Sequence, residues 1–142
     1  MQISETILLI ITAVVTAISA LFCIISLATS RWTLTYGLFC SGCPTAAPAG
    51  LSIVAFILLI AAIVILLLLI CRLLPKAIRI LSFIILFLGT IFTLASYAAY
   101  FHAATGYSYK LMVVAHFLCY VASLLVAFWL GGSYATTIAP AN

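Results

Sequence analysis

Hydrophobic positions run almost unbroken over residues 7–28, 51–71, 80–101 and 111–131, and polar ones gather in the short segments between them. Each run is about the 20 residues that a helix needs to cross the hydrocarbon of a bilayer. The pattern predicts an all-α membrane protein, an antiparallel bundle of four transmembrane helices folded as one domain over residues 1–142. The connections are short, with room for at most a minimal extracellular β element in the first. Composition sharpens this: 69% of the residues are hydrophobic and 4% charged, against roughly 25% charged in soluble domains, so no water-facing surface can be built around these helices. The lipid bilayer is therefore the first partner.

In lipid, burying Leu against Leu gains little, and helices associate through small residues that permit close approach and through modest hydrogen bonds. The fourth run carries Ala115, Cys119, Ser123, Ala127 and Gly131 at four-residue intervals, a stripe of small side chains that reads as a seam for packing or for a partner. Which of the two it serves stays open at this point. The first run has a weaker version in Ala13 and Ala17 with Thr12, Thr16 and Ser19, and the third offers Gly89 and Thr93 beside Ala95 and Ala99. The second is nearly all Leu, Ile and Val in its latter half and is expected to face lipid most. Pro44, Pro48 and Gly50 mark the first connection as a turn-rich stretch that continues neither helix, and Pro75 makes the second and third runs a hairpin. No heptad register or internal repeat is visible, and residues 136–142 read as a short unstructured end.

Five basic residues face one acid, Glu5. They form no basic face for nucleic acid; they report topology. Arg72, Lys76 and Arg79 share the second connection, which the positive-inside rule puts in the cytosol together with both termini. Residues 1–6 lack a positive n-region, so the first run reads as a retained anchor and not as a cleaved signal peptide. Trp32, Tyr36 and Phe39, with Tyr97, Tyr100, Tyr107 and Tyr109, are placed at the outer headgroup level, and Trp129 and Tyr134 at the inner one.

Candidate chemistry is sparse. One carboxylate side chain, outside the first run, excludes paired-carboxylate catalysis and a carboxylate proton relay within the membrane. His102 has no Cys or second His at ligand spacing, and His116 with Cys119 would supply two ligands from one helix, too few for a metal site. His116 is expected to hydrogen-bond a neighbouring helix, with Tyr120 on its own face as a further partner. Neither a cofactor nor a small-molecule substrate is expected. Cys23, Cys71 and Cys119 read as small apolar fillers. Cys40 and Cys43 instead sit in the first connection, on the non-cytosolic side, where a disulfide is permitted. A C-x-x-C pair in the first outer loop of a four-span chain is similar to the bacterial quinone-linked thiol oxidases. Those carry a second cysteine pair in another outer loop, and no Cys lies between Phe101 and Lys110 here, nor does Arg follow Cys43.

Ser30-Arg31-Trp32, then Gly37-Leu38-Phe39, then Cys40 and Cys43, resemble the W…GLW…C…C signature of the claudin superfamily. That group includes the claudins, the peripheral myelin and epithelial membrane proteins, and the calcium-channel gamma and AMPA-receptor regulatory subunits. Gly106-Tyr107-Ser108-Tyr109 resembles the entry to the fourth helix in the myelin-protein and gamma-subunit branches. The resemblance implies that Trp32 packs under the outer loop, that Gly37, Leu38 and Phe39 form its membrane-proximal strand, and that Cys40 and Cys43 form its disulfide. Phe39 stands where the family has Trp, and the loop is too short for the usual extracellular sheet.

The expectation is thus a non-catalytic, claudin-like tetraspan of the plasma membrane that acts by lateral association with itself or with another integral membrane protein. An accessory subunit of a channel or receptor fits the short loop better than a barrier protein; a cell-junction or adhesion role stands beside it. The rival is a membrane thiol oxidoreductase using Cys40 and Cys43. A pore in its own right lacks the charged ring common in ion channels.

Overall fold

The computed structural model describes residues 2–29, 42, 46–75, 77–99 and 107–138. They form four helices: α1 (Gln2–Ala28), α2 (Ala46–Ile70), α3 (Ile78–Ala98) and α4 (Tyr107–Ile138). No strand occurs among the described residues, and the loop that would carry the expected β element lies outside them. Segments Glu5–Ala28, Ala47–Ile70, Ile78–Ala98 and Tyr107–Gly132 are each long and apolar enough to span a bilayer. Side chains such as Ile7, Ile57, Leu67, Phe117 and Phe128 stand exposed around the bundle. The chain is an integral, multi-pass membrane protein whose outer surface meets lipid. In hydrocarbon each backbone polar group must be satisfied within its own segment, so the many Ile and Val residues form helix despite their weaker propensity in water.

Two boundaries differ from expectation for identifiable reasons. Helix α2 begins at Ala46 and takes Pro48 and Gly50 into its first turns, although both read as helix-stopping. The nitrogen of residue 48 would have no intrahelical acceptor that early, so proline removes nothing there. Helix α4 starts at Tyr107 and continues to Ile138 over 32 residues. That is about 48 Å at 1.5 Å per residue, well beyond the roughly 30 Å of hydrocarbon. The expected unstructured end is therefore helical through Ile138.

The α2–α3 hairpin closes through a Schellman motif. Leu73 N–H donates to Leu68 O and Arg72 N–H to Leu69 O, both at 3.1 Å, with Arg72 in the left-handed region at φ 57°. Beyond Pro75, Ile78 N–H donates back to Pro75 O at 3.1 Å and α3 begins. Each helix then packs on two neighbours in the ring α1–α2–α3–α4, and the most extensive contact is α4 closing back onto α1. The N-terminus of α1, the C-terminus of α4 and the basic hairpin consequently lie at one end, as an up-down-up-down bundle requires.

The interior corrects the reading that no heptad register exists. Buried positions in register on α1 are Leu9, Thr12, Thr16, Ser19, Cys23 and Ser26, with Ala13 and Ala20 also buried beside them; on α2 they are Ser52, Ala55, Leu59, Ala62, Leu66 and Leu69, with Pro48 and Ala49 buried at its start. On α3 they are Ser82, Leu86, Gly89, Thr93 and Ser96, with Thr90 beside them. On α4 they are Ser108, Met112, Ala115, Cys119, Ala122, Val126 and Trp129, with Ser123 and Leu130 also buried beside them. In every helix the intervals alternate between three and four, the 3.5-residue period of left-handed antiparallel packing. Small and hydroxyl-bearing side chains mark much of the seam, and Leu9, Leu59, Leu66, Leu69, Leu86, Met112 and Val126 fill the rest of it, so the seam does not stand out by hydrophobicity from an apolar surround. At Gly89 an added Cβ would lie 3.7 Å from Leu58 Cβ and 3.9 Å from Cys119 Sγ, so the missing side chain brings three helices close. Helices α2 and α3 share the least burial, so the lipid-facing role expected of α2 alone is divided between them.

Candidate functional site

The seam positions carry hydroxyls and thiols at depths where water is absent, and each adjoining helix pair is joined by at least one of them. Ser19 Oγ of α1 donates to Ala115 O of α4 at 2.7 Å, and Ser26 Oγ to Ser108 O at 2.7 Å. Between α1 and α2, the Cys23 thiol lies 3.9 Å from Ser52 O. Between α2 and α3, Ser96 Oγ meets Ser52 Oγ and lies 3.2 Å from Pro48 O, the carbonyl to which Ser52 Oγ also donates at 2.7 Å. A carbonyl has two lone pairs and so accepts a second bond while its helical one persists.

The densest part joins α3 to α4. Thr90 Oγ1 lies 3.0 Å from Ser123 Oγ and 3.1 Å from Cys119 Sγ, and the Cys119 thiol reaches Leu86 O at 3.6 Å. Both hydroxyls also face a carbonyl of their own helix at 3.0 Å, Leu86 O for Thr90 and Cys119 O for Ser123. Each has one proton, so at least one donates across the interface in place of bonding its own helix. One turn toward the N-terminus of α4, His116 Nδ1 lies 3.2 Å from Thr90 O and 3.3 Å from Thr93 Oγ1. A neutral ring either donates to the carbonyl from Nδ1 or accepts there from Thr93; one nitrogen cannot do both. The imidazole stacks edge-on to Tyr97 at 5.4 Å, and Tyr97 meets Tyr109 at 6.1 Å. His116 thus bonds a neighbouring helix as expected, and Tyr120, one turn along α4 and 47% exposed, is not among the hydrogen-bond partners of its ring.

This arrangement exchanges neutral hydrogen bonds and holds helices together. Among the described residues no group of three or more His, Cys, Asp or Glu side chains lies together. Cys23 and Cys119 are buried free thiols, and Cys71 is exposed at the hairpin.

The expected stripe on α4 divides. Ala115 and Cys119 are fully buried and Ser123 nearly so, whereas Ala127 is half-buried and Gly131 exposed. A Cβ built on Gly131 or Gly132 would meet nothing within 4 Å. The reason is geometric: four residues turn an α-helix by about 400°, so a four-residue row drifts some 40° per step while the true seam holds its face. Ala13 is buried, but its expected companion Ala17 points outward. The residues carrying the family resemblance, Trp32, Gly37, Leu38 and Phe39, and the Cys40/Cys43 pair lie outside the described residues. Gly42, between those cysteines, is described and adopts φ 87°, a left-handed conformation that glycine permits at little cost.

Two residues were underread from sequence. Trp129, assigned to the interface as an anchor, is 5% exposed and lies under Arg79, whose guanidinium carbon is 5.2 Å from the indole centroid. Its register with Val126 and Ala122 on the seam was the available signal. Arg79, read only as a topology marker, turns out to pack on that indole. No family model matches the chain, and no curated protein or solved structure matches it either.

Proposed function

We propose that this chain is a non-catalytic, claudin-like membrane protein that works by lateral association, as an accessory subunit of a channel or receptor or as a cell-junction component. The observation that carries the reading is the inner half of the α4 stripe. The bundle covers Ala115, Cys119 and Ser123 but leaves Ala127 and Gly131 at the surface, with Gly132 and Ala135 nearby. Small residues at four-residue spacing on an uncovered face let another helix approach closely enough for dispersion and backbone contacts to hold it in lipid. The polar groups of the spans are turned inward and largely matched, which leaves lateral contact as the available activity.

The loop-one resemblance supports the family, and within it Cys40 and Cys43 form a structural disulfide. The basic hairpin supports cytosolic termini, and the family resemblance supports the plasma membrane. Affinity purification in mild detergent followed by mass spectrometry tests the proposal. A single stoichiometric large membrane partner is expected for an accessory subunit, and self-assembly alone for a junction component; recovery of a monomer by itself would contradict both. Replacing Cys40 and Cys43 with Ser should lower thermal stability without removing any disulfide-forming activity from purified membranes. Loss of such an activity would move the chain to the thiol oxidoreductase reading.

A further inference from the structure

We draw no further inference here: the strongest candidate, the cavity at the hairpin end of the bundle lined by Glu5, Arg72, Arg79 and Trp129, carries none, because Arg79 already packs on the Trp129 indole and holds a further contact, and nothing in the structure shows what ligand the cavity would take.

Discussion

The two halves of α4 present the same kind of side chain to different surroundings. Around Ala115, Cys119 and Ser123, small residues are matched by a helix on either side, with Ser19 bonding Ala115 O and Thr90 touching both Cys119 and Ser123. Around Gly131 nothing lies within 4 Å of an added Cβ, and Ala127 is only half-buried. The difference teaches that a small residue in a membrane helix is a packing device only where the seam passes. The seam follows a period of 3.5 residues, not four, so a row that starts inside the bundle leaves it within a few turns. What remains outside is available to another chain.

The largest expected effect is at the covered half. Ala115→Leu places a branched side chain at a fully buried position facing α1. It should break the Ser19 bond and destabilise the monomer by about 1–3 kcal/mol, the usual range for overpacking. A sharp fall in Tm and expression checks it; a wild-type Tm would mean that α1 and α4 are not packed as described.

A smaller loss is expected from Thr90→Val, which keeps the shape and removes the hydroxyl that faces Cys119 and Ser123. Interhelical hydrogen bonds in membranes average about 0.6 kcal/mol and reach about 1.7. A double-mutant cycle with Ser123→Ala should return a coupling of that size, and additive losses would show that the contact contributes nothing across the interface.

The mildest change within the seam is Gly89→Ala. Its Cβ would sit 3.7–3.9 Å from Leu58, Leu59 and Cys119, ordinary contact distances. The added helix propensity, at most about 1 kcal/mol, should leave the protein as stable or slightly more so. A clear loss of Tm would show the α2–α3–α4 approach to be tighter than the structure gives.

The four spans, the α2–α3 hairpin and the membrane character were legible because long apolar runs admit few alternatives. The start of α2 was not, since Pro48 reads as a breaker until its place in the first turn is known. The heptad seam was hidden for a different reason. In an apolar chain the usual amphipathic signal fades, and the marks that replace it, such as Thr12, Thr16, Ser19, Cys23 and Ser26 on α1, are polar residues normally read as surface. On α4 the four-residue row and the true seam share Ala115 and Cys119 before parting, so the row misplaces Gly131. The packing of Trp129 under Arg79 was illegible because the two residues are brought together only when α3 and α4 pack.

The proposed lateral association depends most directly on the exposed end of α4, and Gly131→Leu isolates it. Because nothing lies within 4 Å of a Cβ there, the substitution should leave Tm and yield of the monomer unchanged. Affinity purification of this variant beside wild type is the measurement. The expected result is a folded protein that has lost its membrane partner or its self-association; a folded Gly131→Leu that retains the full complement of partners would contradict the proposed association.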